Sequence, residues 1–395
     1  MTEKKRRGHN EGSVYYIKSK DRWAASVSIA PGKQKTFYFK TKQEAIRKKS
    51  EALRELERGT LATGTRRKLG EYLIDWLENT HKSRLRIGTY VNYKKKVKYI
   101  ADDDLGDVWI QKLTPEQVQD FLQKKLDGGL SSKTVHEIHG VLRVALKKAV
   151  RWGIVSKNVC DLVDPPKIVS REAVPLSVEQ ARSLVKHVQG HRLEVLLAMA
   201  VVTGMRRGEL LALHWSDIDF EHHRLLVLHS VDYIAGYGYV TGEPKTASGK
   251  RWVSFPSFLF DMLKQHQARQ LVFRDTAKKW VDHDLVFPNL SGSYLHPNHM
   301  GEVFKKLLQD AGLPDIHFHD LRHSAATILL CMGVNIKVIQ ELLGHSDISI
   351  TLRVYGHLLP SMQQAVVDTW DGVFTDDGKE TGSNEDGKKG RKKRK

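Results

Sequence analysis

Four stretches in the second half of the 395-residue chain carry side chains that could act together on a phosphodiester. Breaking that bond without hydrolysis needs a nucleophile for the phosphorus and fixed positive charge for the oxygens of a pentavalent transition state. It also needs a base for the nucleophile's proton and an acid for the leaving 5′ oxygen. Thr203-Gly204-Met205-Arg206-Arg207-Gly208-Glu209-Leu210 sets Arg206 at a junction between two helices, where a fixed backbone can aim a guanidinium fork at two phosphate oxygens. Glu209, three residues on, is placed to hold it; read alone, Arg206 could equally be a surface arginine in a helical turn. In Glu243-Pro244-Lys245-Thr246, Lys245 sits in a loop between strand-like stretches and could reach a site as a proton donor. Lys250 lies close by, and lone lysines in turns are usually solvated. His317-Phe318-His319-Asp320-Leu321-Arg322-His323 offers His319 and Arg322 three apart, a spacing that shares one helical face. Leu342-Leu343-Gly344-His345-Ser346 puts His345 just past a glycine that ends an apolar helix, and Tyr355 follows ten residues later. Taken singly, such a tyrosine is more often a packing residue than a nucleophile.

The clustered His317, His319 and His323 also suggest a metal site. No carboxylate or cysteine completes an obvious ligand set, and a guanidinium in their midst opposes a cation, so no metal is expected.

Positioning these groups falls to a mainly helical unit at 172–370. Apolar residues 193–202 predict a helix that ends near Gly204. Strands are expected between Arg224 and Phe255, as the stretches 225–231 and 252–255, before helices return. Upstream, residues 69–165 read as a bundle of about four helices. Leu69, Tyr72, Leu73 and Trp76 open it, and Val135, Ile138, Leu142 and Leu146 close it. Thr89 and Ser131-Ser132-Lys133 are read as helix caps, and Lys94-Lys95-Lys96 and Lys147-Lys148 as faces that meet phosphate. Residues 1–60 read as three antiparallel strands and one helix, the helix opened by a capping box at Thr41-Lys42-Gln43-Glu44. The expected fold class is therefore multidomain: a small α+β domain, an all-α bundle, and a mainly α domain with a small antiparallel sheet.

The net charge is +18, and residues 1–60 alone hold 16 Lys or Arg against 7 Asp or Glu. Such an excess points to nucleic acid as partner. The only cysteines, Cys160 and Cys331, lie far apart, which argues against a disulfide framework or zinc ribbon and fits a reducing cytoplasm. No apolar run approaches the roughly 18 residues that span a bilayer. The charged first ten residues lack the apolar core of a secretory signal.

Arginine, lysine, His-x-x-Arg, Gly-His and tyrosine follow one another in this order, each in a fitting local setting. In this the sequence resembles the tyrosine recombinases, in particular the integrases of temperate phages and integrative elements, up to about residue 370. The resemblance implies that Arg206 and Arg322 clamp the scissile phosphate and that Lys245 is the general acid. It makes His319 a base or hydrogen-bond partner, has His345 bond the phosphate, and makes Tyr355 the nucleophile of a 3′-phosphotyrosine. Glu209 would support them. No cofactor is implied. The implied partners are double-stranded DNA at attachment sites and three further copies in a homo-tetramer, with room for accessory DNA-bending or directionality proteins. The implied plan is an arm-type DNA-binding domain at 1–60, a linker at 61–68 and a core-binding helical domain at 69–165. A linker at 166–171, a catalytic domain at 172–370 and a disordered tail at 371–395 complete it. The setting would be the nucleoid of a bacterial cytoplasm. Two rivals share part of the pattern. A type IB topoisomerase is disfavoured by the arm-like unit and the short Gly-His to Tyr spacing, and a non-catalytic regulator by the full set of six residues.

Overall fold

The computed structural model describes residues 12–30, 33–57, 66–169, 174–244 and 247–344. Lys245, His345, Tyr355 and the tail from 371 lie outside the described residues. The chain divides into two compact units, one ending at Arg171 and the other beginning at Glu172.

The first unit opens with strands β1 (Ser13–Ile17), β2 (Arg22–Ala30) and β3 (Lys33–Phe39), antiparallel in that order, followed by helix α1 (Lys42–Glu57). The expected capping box is present: Thr41 Oγ1 accepts from the Glu44 N–H, and the Glu44 carboxylate accepts from the Thr41 N–H, each at 3.3 Å. Strand alternation gives the sheet two faces. On one, Val27, Ile29 and Phe37 pack against Ala52, Leu53 and Leu56 of α1. On the other, Tyr15 and Tyr38 flank Ala24 through the register Tyr15–Ala24–Tyr38 and stand exposed.

Helices α2 (Leu69–Asp75), α3 (Ile87–Ala101), α4 (Pro115–Asp127) and α5 (Ser132–Arg151) follow. Tyr72, Trp76, Ile100, Phe121, Leu142 and Leu146 form part of their common core. Thr114 and Gln117 make a capping box ahead of α4, and Ser131 caps α5 as expected. Two expectations need correcting, and one feature was not foreseen. Helix α3 starts one turn early, after Arg86, which leaves Thr89 inside the helix rather than capping it. Lys96 is not on a phosphate-facing surface: it is buried and pairs with Glu137 at 3.0 Å, because the same helix turn carries the core residue Val97 inward. Residues 76–81 form a π-helical turn that the apolar spacing did not announce.

The second unit comprises α6 (Val178–His187), α7 (Glu194–Thr203), α8 (Arg207–Leu211), β4 (Ile218–Asp219), β5 (Arg224–Val227), β6 (Ser230–Ile234), β7 (Gly238–Gly242), β8 (Arg251–Ser254), α9 (Ser257–Thr276), α10 (Pro297–Asp310), α11 (Asp320–Cys331) and α12 (Ile336–Leu343). The stretch expected as one strand, 225–231, is two. β5 pairs with β4 and β8, whereas β6 turns away to form a hairpin with β7. Helix α7 is buried on nearly every side, from Val195 to Val201, and packs against α6, α9 and α11. An all-apolar helix has no solvent face to offer, so it becomes the axis of the core. Among the described residues no helix is long and apolar enough to cross a membrane.

The Tyr72 hydroxyl donates to the Ala145 carbonyl at 2.8 Å and ties α2 to α5 inside the bundle. Tyr72→Phe keeps the ring and removes only this bond, so it should cost about 1 kcal/mol. The check is faster hydrogen exchange of α2 and α5 amides, with those of the second unit unchanged.

Candidate active site

The geometry begins where α7 stops. Gly204 adopts the left-handed conformation, φ +60°, and closes the helix. A Cβ there would lie 2.5 Å from Leu343 Cδ2 and 3.2 Å from the Ala325 Cβ, so only glycine lets α11 and α12 approach this corner. The next turn presents Arg206 as the residue before α8, in extended conformation. Glu209, at the third position of α8, accepts from the Arg206 backbone N–H at 3.0 Å and from its guanidinium at 2.8 Å. The three-residue spacing thus works as expected: one carboxylate both caps the short helix and holds the arginine.

His319 immediately precedes α11 and Arg322 lies in its first turn, buried. Arg322 donates to the Gly204 carbonyl at 2.8 Å and to the Leu343 carbonyl at 2.7 Å. The second Arg206 nitrogen donates to the Gly344 carbonyl at 3.2 Å. Two arginines from distant stretches therefore reach adjacent carbonyls at the end of α12. His345, the next residue, lies outside the described residues, as do Lys245 and Tyr355. Lys250, the alternative to Lys245, pairs with Glu243 at 2.7 Å on the surface.

Arg206, Glu209 and His319 line one open cleft of about 840 Å³, together with Arg207, Asp232 and His317. A smaller apolar pocket of about 300 Å³, around Trp280 and Phe287, contains none of these residues. Burial pushes the His319 imidazole down to about 4, and the neighbouring His323, Arg322 and Arg206 push the same way. The ring is thus neutral near pH 7 and can accept a proton. The His319 and His323 rings stand nearly perpendicular, with centroids 5.4 Å apart. Among the described residues no three His, Cys, Asp or Glu side chains are grouped to hold a metal ion.

One residue at the site was not singled out in the sequence. Arg251, at the start of β8, donates to Glu209 Oε2 at 3.1 Å and to the Leu342 carbonyl at 2.6 Å. Burial pushes the Glu209 carboxyl up, but the charge and hydrogen bond of Arg251 and the bonds from Arg206 outweigh it, and the net shift is downward. Arg251 lies far from Glu209 in sequence, so no local spacing links them.

The chain matches the phage integrase family over residues 175–362 and the phage integrase N-terminal SAM-like domain over residues 68–126. It is similar to an XerC-like tyrosine recombinase of Caldanaerobacter subterraneus subsp. tengcongensis, 33% identical over 91% of this chain and 98% of the relative. Its fold is similar to that of the Tn1549 transposon integrase in complex with a circular intermediate DNA, with TM-score 0.66 and 23% identity over 75% of this chain and 99% of that one. It is also similar to lambda integrase, seen as a tetramer bound to a Holliday junction, with TM-score 0.53 and 18% identity over 85% of this chain and 95% of that one. Fold and matches together define an enzyme that cleaves and rejoins DNA. The chain belongs to the tyrosine recombinase family and is a site-specific recombinase of the integrase type.

The low His319 value has a thermodynamic consequence. An unfolded histidine binds its proton near pH 6.5, whereas the folded ring waits until about 4. Between those values the unfolded state holds more protons, so this residue makes stability fall as pH falls through that window. His319→Gln should lose less stability between pH 6.5 and 4 than the unaltered protein, read from urea midpoints at each pH. Equal losses would mean that the ring protonates freely in the fold.

Proposed function

We propose that this recombinase integrates and excises a mobile element through a covalent 3′-phosphotyrosine formed by Tyr355. Arg206 and Arg322 hold the non-bridging oxygens of the scissile phosphate, and their fork geometry suits that task. The Tyr355 oxygen attacks phosphorus while the unprotonated His319 receives or shares the phenolic proton. Lys245 donates a proton to the departing 5′ oxygen, and His345 bonds the phosphate. Glu209 supports Arg206. The phosphotyrosine conserves the phosphodiester's energy, so attack by the 5′ hydroxyl of a second duplex reseals the strand and frees Tyr355. Arginine and lysine charge serves the transition state here, the role a metal ion plays in other phosphoryl-transfer sites.

The observation that carries this reading is the meeting of Arg206 and Arg322 on neighbouring carbonyls at the end of α12, directly ahead of His345. Arg206 lines the open cleft, and the buried Arg322 bonds the carbonyl next to the one Arg206 bonds, so two guanidinium groups meet at one corner of the site.

The remaining assignments extend the same reading. Residues 69–165 and 172–370 would close as core-binding and catalytic domains around the crossover site. Residues 1–60 would bind separate arm sites, an assignment supported by their charge and by the exposed polar and tyrosine-bearing face of the β1–β3 sheet. Four protomers would act on two duplexes at attachment sites, as the tetramer of lambda integrase is seen on a Holliday junction. The enzyme would work in the bacterial cytoplasm, on the nucleoid, with accessory bending or directionality proteins.

Two outcomes check these assignments. With a nicked suicide substrate the protein should form a denaturant-resistant DNA adduct, and Tyr355→Phe should abolish it; an adduct that persists assigns the nucleophile elsewhere. Deleting residues 1–60 should spare core-site cleavage and depress integration in a plasmid assay. Normal integration by the truncated protein would remove the arm-binding role.

A further inference from the structure

The Glu209 carboxylate sits 1% exposed between two arginines of different character. Arg206 is 34% exposed and borders the cleft. Arg251 is 7% exposed and does not border it. Both carboxylate oxygens are engaged. Oε1 takes the Arg206 guanidinium at 2.8 Å, and Oε2 takes the Arg206 backbone N–H at 3.0 Å and Arg251 at 3.1 Å. Arg251 uses its other nitrogens on the Leu342 carbonyl at 2.6 Å and the Gly249 carbonyl at 3.1 Å. It is thus wedged between β8, α8 and the end of α12. A Cβ on Gly344 would lie 2.9 Å from one Arg251 nitrogen and 2.8 Å from the Ser248 carbonyl, so glycine is needed for the helix end to close over it.

Charge decides what this wedge does. A buried carboxylate paired with Arg206 alone would cancel the charge that a phosphate needs, and the pair would be neutral. A second, buried cation changes the balance: two guanidinium groups share one carboxylate, and the surplus resides on the exposed partner. We propose that Arg251 is a positioning residue of the strand-transfer site, which neutralises Glu209 from behind and leaves the charge of Arg206 available to the scissile phosphate. Its grip on Leu342 also fixes the helix end whose next two carbonyls bind Arg322 and Arg206. The inference rests on the proposed role of Arg206 as a phosphate clamp.

The full chain is tested on a suicide core-site substrate, with single-turnover cleavage at saturating DNA measured separately from equilibrium binding. Arg251→Met should slow cleavage by about 10- to 100-fold, the range seen when groups that orient a reacting ligand are removed. Core-site affinity should stay within about threefold, because the loss is in transition-state charge. The discriminating step is a second substitution. Adding Glu209→Gln to Arg251→Met removes the unbalanced carboxylate and should recover about tenfold of the lost rate. A purely structural Arg251 predicts no recovery or a further loss, and either result overturns the proposal. Wild-type cleavage by Arg251→Met overturns it as well. If Arg251→Met loses its near-ultraviolet circular dichroism signal, Arg251→Lys decides. It keeps the charge and should cleave within about tenfold of the unaltered enzyme, and a folded but inactive lysine variant refutes charge balance. Arg206→Ala runs alongside: if it cleaves normally the clamp reading itself falls, whereas an inactive Arg206→Ala beside a normal Arg251→Met sinks only the role of Arg251.

Discussion

Three guanidinium groups bind three consecutive carbonyls at the end of one short helix, and the site is built around that contact. Arg251 takes Leu342, Arg322 takes Leu343 and Arg206 takes Gly344. Like charges so close repel, and left alone they would swing apart into solvent. Two features oppose this. A helix C-terminus carries partial negative charge, and a cation there contributes about 0.3–1 kcal/mol, rising to about 2 where partly buried. Glu209 supplies the full negative charge that the carbonyls lack. The arrangement is stable as a set, because removing one member leaves the others with unmatched charge.

That contact in turn requires the helices to meet at van der Waals distance. The apolar length of α7 makes it the axis of the second unit, and Gly204 ends it without a side chain where Leu343 and Ala325 arrive. Arg322 then bridges the two approaching elements, bonding the Gly204 carbonyl on one side and the Leu343 carbonyl on the other. The packing of apolar residues and the placing of charge are thus one event. A side chain at 204 would push α12 away and strand the carbonyls that the arginines use.

How much of this was legible depended on sequence distance. The Arg206–Glu209 pair, the Thr41–Glu44 box and the glycine before His345 could be read because each is a rule about residues within one helical turn. The three strands and helix of residues 12–57 could be read because strand alternation and the helix cap are equally local signals. Arg251 could not, since its partners lie on α8 and α12 and nothing in Gly249-Lys250-Arg251 announces them. Lys96 misled because a run of three lysines suggests a solvated face, yet a helix turns about 100° per residue and carries one of three neighbours inward. The break between β5 and β6 was hidden because both halves have strand character and only tertiary pairing assigns them to different sheets.

The same arginines also bear on the protonation of His319. Burial does most to keep its imidazole uncharged, and the positive charges of Arg322 and Arg206 add to that. Cations gathered beside a buried histidine thus reinforce what burial already does, and Asp320 opposes them only in part. For a residue proposed to take the phenolic proton of Tyr355, that is a useful consequence: it enters the reaction unprotonated without a dedicated partner to make it so. When a phosphate brings negative charge beside the ring, the repulsion that disfavoured protonation is offset, and a proton becomes easier to hold. Burial first and the neighbouring cations second thus keep the His319 ring uncharged, which is the state the proposed proton transfer from Tyr355 requires.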